Sequence, residues 1–565
     1  MPIDSRRLDA AREGRSELEN HYIDELAAGR LGRREFLRRG AALGMSAGVM
    51  GAVLAACGGA NKTGTAAKTS TGANTSSGPV KKGGTLKLAQ QAPAGQVNPL
   101  TIDDVGGLCQ LSQTGEFLAL DVGGVLHPML ATKWTPSHGG TVWTFKLRPG
   151  VKFHNGKQMT ADDVVYTFQQ LADPKNASNA LSTFSGVLTP SGVRKVDDGT
   201  VAFHLEAANG NFPYIVSSDN YNAIIVPKGT DYTKWQKSYI GTGAFVLKSF
   251  TQNQGSTFVA NPHYWGGKPN LDGTSFTFYG SQQPQIVALQ GGDVDVIVQF
   301  VAQGAQAITH SSQYPLITIK SSLHRELSMR CDKAPFNDAR VRQAVALTLD
   351  RPAMVSALLS GLGQVGNDNP FAPVFKSRDP SVPQRTQDLA KAKSLLSAAG
   401  HPHGLSATLF TEQYEEIPGL ATTIAGQAAK AGIDIKLKVE TQSAYYGKAT
   451  FGNSDWLDGE MSLVDNGDRG VPNVFLQATL TKKGPWNAAH FRNSEYDKLV
   501  AQYVAAVDLS SQRAIAGKIE RLLLNETPVI IPYFYDSLTA TTPKVKGAQP
   551  TAIAQIFLNK AGLTA

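Results

Sequence analysis

The sequence predicts a two-lobed α/β protein, and three observations carry that expectation. A chain of 565 residues exceeds what one small hydrophobic core organises, so more than one packed body is expected. Residues 126–171 alternate strand-like and helix-like patterns within one short module. Two β-rich stretches, 319–329 and 527–535, are expected to be the crossings that join the lobes. A hydrophobic content of 41% with 18% charged residues is that of an ordinary globular protein and excludes disorder as the default.

Within the module, Thr141, Trp143, Phe145 and Leu147 alternate with Val142, Thr144 and Lys146 between Gly140 and Pro149, the period of a strand. Asn155-Gly156 tolerates positive φ and marks a reversal. Thr160 stands three residues before Asp163, a capping box, and Val164, Val165, Phe168 and Leu171 follow at helical spacing. The whole reads as a βαβ-like alternation. The passage 98–125, with Asn98-Pro99 and the pairs Gly106-Gly107 and Gly123-Gly124, reads as loop-rich. Gly241 and Gly243 read as a tight turn feeding a strand, and the third glycine of a dinucleotide fingerprint is missing. Asp338 favours a helix start with Val341, Ala344, Val345 and Leu349 as its buried stripe, and Asp350 caps a second helix ended by Gly361.

The order of these pieces is informative beyond their local structure. Leu130-Ala131-Thr132-Lys133-Trp134, the run Thr144 through Gly156 (T-F-K-L-R-P-G-V-K-F-H-N-G), Thr160-Ala161-Asp162-Asp163-Val164-Val165-Tyr166 and Pro335-Phe336-Asn337-Asp338-Ala339-Arg340-Val341-Arg342-Gln343-Ala344 stand in sequence. Together they closely resemble the extracellular solute-binding proteins of ABC importers, in the family that handles peptides and nickel (family 5). The resemblance implies a periplasmic-binding-protein type II-like α/β fold with an extra subdomain in the first lobe and a two-strand hinge. On that reading 84–325 form lobe I with the extra subdomain at about 119–235, 326–526 form lobe II, and 527–565 return to lobe I.

The N-terminal segment reads as export machinery. Arg33-Arg34 followed by Phe36-Leu37 resembles a twin-arginine signal, with Gly32 in place of the usual Ser or Thr. The apolar run 41–56, sixteen residues rich in Gly and Ala, is too short to span a membrane comfortably and suits a signal core. Leu54-Ala55-Ala56-Cys57 resembles a lipobox, which implies a lipidated Cys57 and a membrane-anchored product. The segment 57–83 is built of Gly, Ser, Thr, Ala, Asn and Lys and reads as a tether whose ends lie about 25–30 Å apart. Nine arginines and eight carboxylates nearly balance in residues 1–56, so the net charge of +8 lies almost wholly on the rest. Those basic residues are scattered, which suits an anionic membrane surface and carries no nucleic-acid signature. Cys109 and Cys331 are too few and too distant to establish a disulfide.

No enzyme motif stands in context. Gly44-Met45-Ser46-Ala47-Gly48 matches G-x-S-x-G but lies in the export segment, and no G-x-x-x-x-G-K-[ST] or H-E-x-x-H occurs. His401-Pro402-His403 reads as a solvated loop, and Arg340 and Arg342 read as scaffold partners. The informative acidic spot is Leu463-Val464-Asp465-Asn466-Gly467-Asp468-Arg469. In peptide-binding relatives an Asp of a similar segment meets the ligand's ammonium, which puts Asp465 first and Asp468 second, with Asn466 beside them. A buried ammonium needs a fixed counter-charge, and a half-satisfied one costs roughly 3–5 kcal/mol. The equal alternative is an Asx-rich turn. Tyr414, Tyr533 and Tyr535 are candidates for aromatic cleft surface or for core. Thr411-Glu412-Gln413-Tyr414 stands where dipeptide binders place an Arg for the ligand carboxylate, which puts capture of a peptide C-terminus there in doubt.

The expectation is a monomeric solute receptor without cofactor or catalysis, taking peptides and serving a permease with its ATPase subunits. Alternatives are the same role for nickel chelates, sugars or opines, an exported enzyme on the twin-arginine route, or a surface sensor.

Overall fold

A computed structural model describes residues 80–564. The twin-arginine pair Arg33-Arg34, the lipobox Cys57 and most of the tether lie outside the described residues.

Two seven-stranded sheets form the two lobes. In lobe I the order runs Leu316–Ile319, Ser537–Thr541, Val296–Phe300, Thr85–Gln91, Gly273–Tyr279, Gly255–Ala260, Phe245–Thr251. Thr85–Gln91 is parallel to both its neighbours, and the outer strands pair antiparallel. In lobe II the order runs Gly363–Val365, Tyr533–Tyr535, His324–Met329, Met461–Asn466, Leu405–Glu412, Ile433–Glu440, with Val529–Ile530 also on His324–Met329. Central strands are buried on both faces: every residue of His324–Met329 is buried, as parallel-containing sheets covered by helices require.

The chain crosses between the sheets twice, at 320–323 after Leu316–Ile319 and at Asp536 between Tyr533–Tyr535 and Ser537–Thr541. The two crossings are tied together. Lys320 Nζ lies 2.7 Å from Asp536 Oδ2, Ser321 Oγ donates to Tyr535 O at 2.5 Å, and Tyr535 N donates to Leu323 O at 2.9 Å. Side-by-side crossings of this kind form a hinge.

The subdomain carried by lobe I is a four-stranded sheet ordered Ala131–Ser137, Val142–Leu147, Thr200–His204, Val193–Asp197. All its pairings are antiparallel, so the strand–helix–strand alternation is not a parallel βαβ unit: the strands flanking the helix are separated by Thr200–His204. Trp143, Phe145 and Leu147 point inward as the alternation requires. Phe145, Phe168 and Phe203 meet edge-on at 5.1–5.3 Å between ring centres. Helix Ala161–Ala172 starts with both halves of the capping box at Thr160 and Asp163. Gly156 takes φ +84° in the predicted reversal.

The loop-rich expectation for 98–125 is corrected by helix Val105–Thr114, nine of whose residues are buried. The Gly106-Gly107 pair does not break the chain there. A Cβ on Gly106 would collide with the backbone at Gln91 and Ala92, and one on Gly107 with Ile102, so the glycines allow the helix to lie against the sheet. Close approach also explains Gly241 and Gly243, which stack on the backbone of Gln113 and Thr114. Asp338 and Asp350 cap helices Ala339–Leu347 and Arg351–Leu359. Arg340 pairs with Asp338, and Arg342 donates to the carbonyls of Phe336 and Glu526. Cys109 and Cys331 are both free thiols, the first fully buried. Among the described residues no helix is long and apolar enough to cross a membrane.

Candidate ligand-binding cleft

The cleft follows from the two crossings. A cavity of about 590 Å³ is walled by 121–124, Asp219 and the strand residues 317–319 of lobe I, by 320–321 of the first crossing, and by Val374, Phe375 and 468–470 of lobe II, with 547–553 of the C-terminal return closing one side. A second cavity of about 510 Å³ lies between Leu181–Val187 of the subdomain and Val471–Pro485 of lobe II, and it shares Asp219 and Arg469 with the first. Val122, Ile317, Ile319, Phe375, Pro550 and Ile553 give the first cavity an apolar lining around a small acidic spot, the usual make-up of a small-solute site.

The acidic spot is built from both lobes. Asp468 sits just past the end of strand Met461–Asn466, and its Oδ1 accepts from Ser322 N at 2.6 Å and Ser322 Oγ at 2.9 Å. Asp219 Oδ1 accepts from Gly470 N across the cleft at 2.5 Å. Gly470 has room for no side chain, because a Cβ there would collide with Asp121 Oδ2 and press on Tyr214 and Asp219. Burial, then the charge of Asp468, pushes the Asp121 carboxyl up to about 7. Burial, then Asp121 and Asp468, pushes Asp219 well above its ordinary value, and burial raises Asp468. Arg469 opposes the shifts at Asp219 and Asp468, and Lys376 that at Asp121. Three carboxyls that resist ionising together lower their mutual cost when a cation enters.

A second charged cluster lies in lobe II, away from both cavities. Arg325 is fully buried, and antiparallel register sets it directly opposite Asp465. Its Nη1 donates to Asp465 Oδ1 and, at 3.0 Å, to Tyr535 OH. Its Nε and Nη2 grip Glu416 at 2.8 Å each, and Nη2 reaches Glu415 at 2.7 Å. Tyr535 lies under the guanidinium at 4.4 Å and Tyr414 at 6.0 Å. Burial pushes Glu415 up, whereas at Glu416 the opposing burial is outweighed by Arg325, which holds that carboxyl low.

The sequence-derived residues therefore divide. Asp468 stands in the cleft with Asp121 and Asp219. Asp465, Tyr414 and Tyr535 surround Arg325. Tyr533 is core, its hydroxyl donating to Glu416 at 2.9 Å. Asn466 is buried with its side-chain nitrogen lacking a protein partner. Asp121, Asp219, Arg469 and Arg325 complete the arrangement without having been singled out as ligand residues. A cue existed for Arg325, since an arginine inside a strand at a lobe crossing must find carboxylates. Asp121 and Asp219 lie at a strand end and in a turn with no periodic signal. Among the described residues no group of His, Cys, Asp and Glu is arranged to hold a metal ion.

Comparison with known proteins agrees with this architecture. The family described as bacterial extracellular solute-binding proteins, family 5 Middle, matches residues 125–486. The periplasmic murein peptide-binding protein MppA of Escherichia coli is 29% identical over 452 residues, covering 75% of this chain and 82% of that one. Heme-binding protein A of Haemophilus influenzae is 27% identical over 455 residues, covering 75% and 81%. The solved unliganded open form of the murein tripeptide-binding protein MppA superposes with a TM-score of 0.71 at 25% identity, covering 87% of this chain and 99% of that one. DppA of Helicobacter pylori, solved with the peptide STSA, has a TM-score of 0.70 at 23% identity, covering 86% and 99%. The two lobes, the double crossing and the cleft between them are thus those of a periplasmic binding protein, and the chain belongs to the bacterial extracellular solute-binding proteins of family 5.

Proposed function

We propose that this protein is the peptide-capturing receptor of an ABC importer, held outside the cell membrane by a lipid on Cys57 after export through the Arg33-Arg34 signal. The observation that carries the reading is the acidic spot at the cleft: carboxyls from both lobes, Asp121 and Asp219 from one and Asp468 from the other, line one apolar cavity. A peptide's ammonium supplies the missing positive charge, and its side chains and backbone fill the apolar space. Relatives named for peptide binding support this assignment.

Capture follows from the hinge. In an open form the carboxyls of the two lobes are apart and solvated. A ligand that bridges them makes contacts available only when the lobes close, so it shifts the population toward the closed form. A permease then reads that form, and its ATPase subunits supply the energy. The receptor itself acts as a monomer and performs no chemistry on its cargo. Backbone hydrogen bonds in the cleft hold an extended peptide with little regard to sequence.

Native mass spectrometry of the protein purified undenatured from its host tests the assignment. A ladder of bound oligopeptide masses is expected. A single discrete mass such as a haem, a sugar or a metal chelate would keep the transport role and end the peptide assignment.

A further inference from the structure

We infer that Arg325 takes the place of a ligand ammonium at Asp465, so that Asp465 is an internal brace and the positive group of a captured solute is received at Asp468 instead. For its ligand this rests on the peptide reading above. The sequence puts Asp465 first and Asp468 second as cleft acids, and the structure favours the reverse order.

Asp465 Oδ1 already accepts from two donors, Arg325 Nη1 and Tyr535 OH, the latter at 2.9 Å. The arginine cannot yield that place cheaply. Its side chain is wholly buried, and all three guanidinium nitrogens donate to carboxylates, two of them to Glu416 in a fork. Bidentate pairing of this kind is the strongest that side chains offer. The backbone that carries Arg325 is held on both sides, by Met461–Asn466 and by Val529–Ile530 with Tyr533–Tyr535. A ligand ammonium that displaced Arg325 from Asp465 would leave a buried guanidinium one acceptor short, and such half-broken buried pairs are costly.

The cavities agree. Asp468, Arg469 and Gly470 line the first cavity, and neither Asp465 nor Arg325 lines that cavity or the second. Asp468 takes side-chain hydrogen bonds from Ser322, an uncharged donor on the first crossing, and the neighbouring Arg469 charge partly opposes the rise that burial gives its carboxyl. Three residues of chain therefore move the ammonium site from the Arg325 cluster of lobe II, where the Asp465 side chain is 27% exposed, to the seam between lobes. There it is completed by Asp219 only when the lobes meet.

The experiment compares the full chain with Asp465→Asn and Asp468→Asn. Ligand-stripped protein receives an equimolar pool of di- to hexapeptides, and native mass spectrometry reads retention beside Tm. Asparagine keeps a carbonyl oxygen for Arg325 and Tyr535, so Asp465→Asn folds. Asp465→Asn is expected to retain peptides within about twofold of wild type while its Tm falls by about 3 °C or more. Asp468→Asn is expected to lose retention by about tenfold or more with Tm unchanged or raised. The inference is overturned if Asp465→Asn loses retention tenfold while Asp468→Asn keeps it. If wild type retains no peptide, the peptide reading fails. The Tm arm then decides alone: a fall for Asp465→Asn supports the brace, and an unchanged or higher Tm overturns it.

Discussion

At the scale of residues, the carboxyls of Asp121, Asp219 and Asp468 tie stability, pH and ligand to one another. Burial raises all three, and the charge of neighbouring carboxylates adds to the rise at Asp121 and Asp219. A carboxyl raised in the folded state contributes stability that is complete below its unfolded value, near 3.8, and is lost as pH rises through the folded value, about 7 for Asp121. The Tm of ligand-free protein should therefore fall between about pH 4 and about pH 7. Asp121→Asn should remove part of that slope, measured by calorimetry across the range. Glu116 and Glu520, each pushed up to about 7 by burial, contribute to the same slope and leave the remainder in the variant. A slope unchanged in Asp121→Asn would show that this carboxyl does not carry the charge cost assigned to it. Since a cation favours the ionised acids, its binding near pH 6 should release protons. Titration calorimetry in buffers of different ionisation heat reads that release directly, and its absence would place the cation elsewhere.

At the scale of elements, the sequence was most legible where local pattern and packing agree. The strand of alternating Trp143, Phe145 and Leu147 and the helix opened by Thr160 and Asp163 fold as their periodicity and capping box require. Helix Val105–Thr114 was hidden because glycine weakens any local helix signal, and its reason for being there is a tertiary contact with Gln91 and Ala92. The same two principles make opposite predictions for two helical glycines. Gly106→Ala should destabilise the protein by about 2 kcal/mol or more, since the added carbon meets backbone that cannot move aside. Gly426→Ala, on the exposed face of helix Ile417–Ala429 with nothing within 4 Å of the new carbon, should stabilise it by up to about 1 kcal/mol. Denaturant melts of the two variants check both signs. The cleft was less legible than the scaffold for a related reason. Its acids come from a strand end, a turn and a post-strand loop, joined only by folding, so Asp468 carried a sequence signal and Asp121 and Asp219 did not.

At the scale of the molecule, two sheets, two crossings and one seam are sufficient for a receptor that closes on its cargo. Lys320 with Asp536 and Ser321 with the carbonyl of Tyr535 keep the crossings side by side, so the lobes can rotate about them without separating. On the far side the lobes touch through Asn211 and Asn473, 2.9 Å apart, and through Gln512, which donates to Asn211 at 2.9 Å. Asn211→Ala should loosen that contact and enlarge the radius of gyration of the liganded protein in X-ray scattering, without altering the ligand's chemistry. On the proposed reading one solute is gripped by both lobes and the hinge at once. Hydrogen–deuterium exchange of stripped protein, with and without the peptides recovered from its host, measures that most directly. Simultaneous protection is expected of 121–124, 218–219 and 318–319 in lobe I, 320–322 in the crossing and 468–470 in lobe II. Protection confined to one lobe would contradict it.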